Sequence, residues 1–262
     1  MLTALGTQLL FYARAIVWMP RALVHYRKET ARLLGEVSFG AGGLTVVGGT
    51  VGVVVFLTFF TGTEVGLQGY QALNQIGTSA FTGFISAYFN TREIAPLVAG
   101  IALSATVGAG FTAQLGAMRV NEEVDALEVM GVRSLPYLVT TRMLAGLAAV
   151  VPLYVLALMS SYVATRTVAT FYFGQSTGTY DHYFNTFLVP TDVMWSFGKV
   201  VVFAVIIIGV HCFYGYHAEG GPAGVGVAVG RAVRTAIVSI NIVNFFVGLA
   251  VWGATTTVRI VG

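Results

Sequence analysis

The sequence predicts an all-α integral membrane protein, and three observations lead to this prediction. Hydrophobic residues make up 56% of the 262-residue chain and charged residues only 10%, whereas soluble domains carry about 25% charged residues. The uncharged residues also fall into five long stretches, at 37–63, 94–118, 143–165, 200–216 and 235–258. Finally, each stretch reaches the minimum of roughly 17 residues that a membrane-spanning helix needs, the fourth only narrowly.

Residues 1–36 form an amphipathic segment ahead of the first stretch. Its apolar residues recur at helical spacing, and its polar side is basic. The apolar set is Leu5, Leu9, Ala13, Ile16 and Val17; the basic set is Arg14, Arg21, Arg27, Lys28 and Arg32. Tyr12 and Trp18 suit the headgroup layer. We therefore expect an interfacial helix region; a short extra span is the alternative, against which Arg14 and Pro20 argue.

The distribution of Lys and Arg orients the five spans. If residues 1–36 are cytoplasmic, the segments 119–142 and 217–234 lie on the same side, and these three regions hold ten of the 14 basic residues. Cytoplasmic loops of membrane proteins carry such an excess. The N-terminus is therefore predicted to be cytoplasmic and the C-terminus extracytoplasmic, in a multi-pass membrane protein.

Residues 65–91 carry no charge but are rich in Gln, Asn, Ser and Thr. Polar side chains at membrane depth prefer protein or water over lipid. We expect a partly embedded helix on the outer side that leads into the second span. It is either re-entrant or an extension of that span. In the absence of an internal repeat or a Pro/Ser-rich linker, one domain is predicted over 1–262, with 37–262 as its transmembrane region.

Glycines cluster inside two predicted spans, in "GAGGLTVVGGTVG" (40–52) and "GAGF" (108–111). Small residues allow helices to approach closely in lipid. Packing within this chain and a dimer seam would both use them.

Residues 113–132 gather four of the 11 acidic residues, between two stretches that have almost no charge: Glu122, Glu123, Asp125 and Glu128. In helical projection, Val120, Val124, Leu127 and Gly131 share one face, with Met130 beside them. The pattern predicts a short amphipathic helix over about 120–131, with Asn121 as N-cap and Gly131 at its end. It is either a solvated loop helix or a helix that docks with a partner.

Charged residues also mark the start of the second and fourth spans. Arg92 and Glu93 open the second, and Lys199 lies near the start of the fourth. Ionisable residues near the membrane pair structurally or snorkel to the interface, but they also mark transport pathways.

The sequence contains no catalytic or metal-binding constellation. Gly198–Lys199 is followed by Val200 and has no preceding P-loop glycine. The four histidines, His25, His182, His211 and His217, lack metal-ligand spacing. We expect Asp181–His182 to lie in an outer-loop turn, and His211 and His217 to form a helix-end cluster near the single cysteine, Cys212. No catalytic residue, metal site or cofactor is predicted in this chain, and the small net charge of +3 argues against a nucleic-acid partner.

The segment "GAGFTAQLGAMRVNEEVDALEVMGV" resembles the signature of the MlaE/YrbE family of ABC-transporter permeases, which serve lipid transporters built around Mce proteins. The likeness extends over nearly the whole chain. "HYRKET", "GGTVG", "GQSTGTYDHYFNTFLVP" and "GYHAEGGPAGVGVAVGRAVR" resemble the B-type subunit, the second of the paired permeases in actinobacterial (mycobacterial) Mce systems.

The resemblance implies a fold and two groups of functional residues. It implies an N-terminal interfacial helix, five spans, and a cytoplasmic coupling helix between the second and third spans that docks with an ATPase. The implied coupling residues are Arg119, Glu122, Glu123, Val124, Asp125, Leu127, Glu128 and Met130. Arg92 and Glu93, and with a weaker motif match Lys199, are implied to lie along the lipid path.

The resemblance also implies a function and partners. The chain would be the permease subunit of an ATP-driven transporter that moves lipid between an extracytoplasmic Mce tunnel and the plasma membrane. Import is expected, with a fatty or mycolic acid or a sterol as cargo. The implied partners are an ABC ATPase dimer that binds ATP and Mg, a second permease (A-type or identical), and hexameric Mce proteins. A non-transporting anchor for Mce proteins and ATPase is the alternative; a lipid-modifying enzyme is disfavoured by the lack of catalytic residues.

Overall fold

The computed structural model describes residues 2–39 and 49–253, and all regular structure in these two ranges is helical. Three helices come first: α1 (Leu2–Val17), α2 (Met19–His25) and α3 (Arg27–Phe39). Pro20 lies in the first turn of α2, where its missing N–H removes no helical hydrogen bond. The helical form of residues 2–36 is therefore confirmed, while the place of this region in the headgroup layer stays a prediction.

Helix α1 has a buried side and an apolar exposed side. Phe11 and Ala15 are buried, whereas Leu9, Leu10 and Val17 are exposed. Thr140 fixes the helix by donating a hydrogen bond from Oγ1 to the backbone oxygen of Ala15. Exposed apolar side chains on a helix that also carries Arg14 are typical of an interfacial helix.

Five of the remaining helices in the described chain are long and apolar enough to span a membrane, which confirms the predicted fold class. The elements after α3 are α4 (Thr50–Gln75), α5 (Ser79–Val120), α6 (Glu123–Val129), α7 (Leu135–Tyr172), α8 (Thr177–Phe187), α9 (Pro190–Tyr216) and α10 (Gly221–Trp252). The short helices α6 and α8 connect the spans. Residues 40–48, in the predicted first span, lie outside the described residues.

Helices α5 and α7 are longer than a bilayer requires. They have 42 and 38 residues, so at 1.5 Å per residue each exceeds the ~30 Å hydrocarbon core. Both contain wider π-helical turns, and one of these, Ser86–Ile94 in α5, includes Arg92 and Glu93. Such turns occur frequently at functional sites.

The polar segment 65–91 divides between two helices. Residues 65–75 are the end of α4, so the prediction of a separate embedded helix is wrong for them. A turn follows in which Gly77 has φ +72°, and the N–H groups of Gly77 and Thr78 donate back to Asn74 and Leu73. This is the glycine-terminated helix end that satisfies the last carbonyl groups. Residues 79–91 open α5, as predicted for an extension of the second span.

The described chain forms two compact units. The first takes the described residues up to Thr50 together with Leu103–Val150 and Phe203–Ile240; the second takes Val51–Ala102, Val151–Val202 and the described residues from Asn241. The predicted single domain over 1–262 stays a prediction.

Close helix packing within each unit depends on glycine. In the second unit, a Cβ added to Gly62 would lie 2.6 Å from the backbone oxygen of Ser161; in the first, one added to Gly108 would overlap the ring of His211. Gly110 has open space around it. Gly108 of "GAGF" therefore packs within this chain, and within that motif the dimer-seam interpretation stays a prediction for Gly110. Most of the earlier glycine cluster lies outside the described residues.

Candidate functional site

Helix α6, in the first unit, is the predicted coupling helix, and its start differs from the prediction. Asn121 ends α5 as its C-cap, and Glu122, with φ +61°, precedes α6. The prediction of Asn121 as N-cap is therefore wrong, because the chain reverses through a left-handed residue at Glu122. Non-glycine residues with positive φ are uncommon, so the sequence carried little sign of this tight junction.

The end of α6 agrees with the sequence. Gly131 has φ +79°, its N–H donates to Glu128, and the N–H of Val132 donates to Leu127 at 2.9 Å. This pair of bonds is the Schellman arrangement, which fixes the direction of the chain after α6.

The apolar residues of α6 divide between two roles. Val124 is only 1% exposed and holds the helix against its own subunit, so its prediction as a docking anchor is wrong. Leu127 is partly exposed, Met130 is 68% exposed and Val129 is 88% exposed. Val129 was missed because helical projection places it away from the Val124–Leu127 face; only the fold shows that the opposite face is open.

The charged residues around α6 also differ in role. Arg119 and Asp125 form an ion pair at 2.6 Å. Glu128 accepts a hydrogen bond from Ser134. Glu122 and Glu123 are exposed and form no ion pair within the described ranges. These two acids, with Leu127, Val129 and Met130, therefore make a free surface, which we call the α6 surface.

The second unit contains a cluster of ionised side chains on α5, α9 and α10. Arg92 is 4% exposed, and its Nη2 and Nε donate to Oδ2 of Asp192 at 2.6 and 2.9 Å. The guanidinium also lies over the rings of Tyr88 and Trp252. Trp252 in turn donates from Nε1 to the other oxygen of Asp192 at 2.9 Å.

Lys199 and Glu93 complete this cluster. Lys199 is 1% exposed, and its Nζ donates to the backbone oxygen of Arg92 at 2.8 Å and to Oε1 of Glu93 at 3.1 Å. Oε2 of Glu93 accepts from Asn244 at 2.8 Å. The side chain of Glu93 is 40% exposed, which makes it the accessible carboxylate of the cluster.

The cluster is electrically balanced. Two basic residues, Arg92 and Lys199, face two acidic ones, Asp192 and Glu93, which offsets part of the cost of burying each charge. The structure brings the three predicted lipid-path residues together, but it buries Arg92 and Lys199 inside the cluster. Sequence reasoning missed Asp192, Asn244 and Trp252. The available sign was that Asp192 precedes Lys199 by seven residues, which places both on one face of α9.

Two predictions about histidine surroundings are wrong. His211 is buried inside the first unit, with Nε2 3.0 Å from Ser104 Oγ and Nδ1 2.7 Å from Thr112 Oγ1, so it does not belong to a helix-end cluster. Asp181 and His182 lie on α8 rather than in a turn, and Arg166 binds the Asp181 carboxylate with two hydrogen bonds. These bonds lower the pKa of Asp181.

Across the described residues, a helical fold with five apolar helices long enough to span a membrane, and a short exposed helix after the second of them, defines the class as a multi-pass α-helical membrane protein. The model of the family described as "Permease MlaE" matches residues 41–250, and the chain belongs to this family.

Named relatives agree with this assignment. A "Probable ABC transporter permease protein" of Rickettsia bellii is 30% identical over 195 residues, which cover 74% of this chain and 75% of the relative. The "Intermembrane phospholipid transport system permease protein MlaE" of Haemophilus influenzae is 26% identical, over 77% and 78%. "Protein TRIGALACTOSYLDIACYLGLYCEROL 1, chloroplastic" of Arabidopsis thaliana is 28% identical, over 75% and 56%. None of these three is named for an Mce system, so the resemblance to the B-type subunit stays a prediction.

Proposed function

We propose that this chain is the permease subunit of an ATP-driven lipid transporter of the Mce type. It moves lipid between an extracytoplasmic Mce-protein tunnel and the plasma membrane, in the import direction, with a fatty or mycolic acid or a sterol as cargo. Membership of the MlaE family supports the transport of lipid, since the Haemophilus relative is named for phospholipid transport.

The single observation that carries the proposal is the α6 surface. Val124 anchors the helix in its own subunit, while Glu122, Glu123, Val129 and Met130 are exposed and Leu127 is partly exposed. Apolar anchors with charges at the rim are what a docking contact requires. We assign this surface to a separate ATPase dimer, which binds ATP and Mg and supplies the driving force.

The charged cluster of the second unit is assigned to the lipid path. Glu93 is the group that a headgroup can reach, and Lys199 and Asn244 hold its two oxygens in place. Arg92 and Lys199 act from inside the cluster by fixing Asp192 and Glu93. The π-helical turn that carries Arg92 and Glu93 supports a functional role at this position.

The remaining partners follow from the proposed system. A second permease subunit, A-type or identical, pairs with this one, and hexameric Mce proteins lie on the extracytoplasmic side. The excess of basic residues in 1–36, 119–142 and 217–234 supports a cytoplasmic N-terminus and α6 surface.

The proposal is tested with the whole complex reconstituted in lipid vesicles. We expect lipid-stimulated ATP hydrolysis that Glu123→Lys abolishes by releasing the ATPase, and that Glu93→Ala reduces while the complex stays assembled. A non-transporting anchor would bind the ATPase equally well, but its ATP hydrolysis would respond neither to lipid nor to Glu93→Ala. That result would overturn the proposal in favour of the anchor.

A further inference from the structure

A cavity of about 760 Å³ lies in the first unit beside the end of α6, and none of the five residues of the α6 surface lines it. Its walls come from α1 and the residue after it, from the last turn of α6 and the turn that follows, from the start of α7 and from the end of α9. The residues that matter chemically are Leu10, Arg14, Trp18, Glu128, Arg133 and His217. Neither of the sites described above uses this cavity.

The position of the cavity along the spans places it at the membrane surface. Its lining includes Leu135, the first residue of α7, and Tyr216, the last residue of α9. Lipid headgroups lie beside the ends of membrane-spanning helices. Leu10, in the same wall, is an exposed apolar side chain of α1, so the cavity borders a surface suited to acyl chains.

Two arginines in the wall carry a positive charge that no acidic residue pairs with in the described part of the chain. The side chains of Arg14 and Arg133 are exposed, and neither forms an ion pair within the described part of the chain. The guanidinium of Arg133 lies 4.8 Å from the ring centre of Trp18, which restricts its orientation. Glu128, the acid in the wall, already accepts a hydrogen bond from Ser134 at 2.6 Å.

We propose that this cavity binds the anionic headgroup of a membrane lipid through Arg14 and Arg133. Arginine donates paired hydrogen bonds to phosphate and carboxylate oxygens, and basic pockets between membrane helices bind acidic headgroups. The acyl chains lie along Leu10, on the exposed side of α1. The binding is independent of the proposed function, because it involves neither the ATPase nor the lipid path.

The experiment measures lipids bound to the purified protein by native mass spectrometry, in nanodiscs of phosphatidylcholine with or without one third phosphatidylglycerol. The test variant is Arg14→Gln/Arg133→Gln. The matched control is Arg27→Gln/Lys28→Gln, which removes the same charge from exposed residues of α3 that do not line the cavity. Inorganic phosphate is added separately as a competitor, and thermal unfolding in detergent checks that all three proteins are folded.

We expect the parent and the control to retain phosphatidylglycerol in excess over phosphatidylcholine. Each lost cavity arginine should reduce that excess about fivefold, the effect of a basic residue close to an anionic membrane surface. An equal loss in the control would overturn the proposal, since general surface charge would then account for binding. Displacement of the lipid by millimolar phosphate would also overturn it, in favour of a site for a free anion. Loss of lipid binding when the ATPase is added would overturn it as well, in favour of a protein contact.

Discussion

Lys199 donates a hydrogen bond to the backbone oxygen of Arg92, at 2.8 Å, from an ammonium group that is almost fully buried. A buried ammonium requires compensating partners, and here one partner is the main chain of α5 inside its π-helical turn. The Arg92 side chain has its own partner, Asp192, also on α9. Two basic residues thus tie α5 and α9 together within the second unit.

The first prediction concerns the pair Arg92–Asp192. Asp192→Ala should lower the free energy of unfolding by about 3 kcal/mol, because it leaves the Arg92 charge buried without its carboxylate. Asp181→Ala is the matched control: it breaks an ion pair of similar length with Arg166, in which the side chains are 47% (Arg166) and 40% (Asp181) exposed, and it should cost about 1 kcal/mol or less. Thermal unfolding of the purified variants in detergent measures both. Equal losses would contradict a special role for the buried pair.

The spans could be predicted from the sequence because their signal is local. Long uncharged runs locate them whatever their tertiary contacts, and the glycine end of α6 at Gly131 is equally local. The end of α4 was missed because Gly77 lies in the uncharged polar segment 65–91, where no charged residue marks a helix boundary. The partner of Arg92 was missed for a different reason: Asp192 is 100 residues away, and only the packing of α5 against α9 within the second unit brings the two together.

The exposure of α6 is another feature that could not be predicted from the sequence. The periodicity indicates which residues share a face, but it does not indicate which face the subunit itself covers. Val124 and Leu127 share a face in projection, yet Val124 is buried and Leu127 is partly exposed.

The second prediction concerns the lipid path. Glu93→Gln should reduce lipid uptake about tenfold, because it removes the accessible charge while keeping one amide oxygen that can accept from Lys199 or Asn244; a charged hydrogen bond contributes about 1.5–3 kcal/mol. Glu64→Gln is the control, since Glu64 is an exposed acid of α4 outside the cluster. Uptake of labelled lipid by cells that carry each variant is the measurement. If Arg92→Ala and Glu93→Ala both left uptake normal, the two residues would have a structural role only and no part in the lipid path.

The third prediction concerns the two glycines of "GAGF". Gly108→Ala should destabilise the protein by about 1–3 kcal/mol, because the new Cβ would overlap the ring of His211. Gly110→Ala meets open space and should be neutral or stabilise α5 by up to about 1 kcal/mol. Thermal unfolding of the single subunit distinguishes the two. A loss at Gly110 as large as at Gly108 would contradict the packing described.

The fourth prediction concerns orientation. A cysteine placed at Ser176, which is exposed between α7 and α8, should react with a membrane-impermeant maleimide in intact cells. One placed at Asn121, exposed between α5 and α6, should react only after the cells are opened. The native Cys212 is buried and should contribute little background. The reverse pattern of labelling would show that the chain has the opposite orientation in the membrane.

The fifth prediction separates the two roles of the apolar residues in α6. Val124→Ala should lower thermal stability, because it removes buried methyl groups from the subunit's own core, at a cost of about 1–3 kcal/mol. Leu127→Ala and Met130→Ala should leave stability unchanged but weaken copurification of the ATPase, since exposed anchors of a docking contact typically contribute at least about 1 kcal/mol each.

Charge reversal on the same helix should have the larger effect on binding. Glu123→Lys places a cation where basic groups of the ATPase are expected, and a charged contact that loses its partner costs about 2–5 kcal/mol. Membrane insertion should be normal in all four variants, because the spans are unchanged. A solvated loop helix predicts another outcome, in which Leu127→Ala, Met130→Ala and Glu123→Lys all retain the ATPase and its activity. Only Val124→Ala would then have an effect, through stability alone, and α6 would be a structural connection rather than a coupling element.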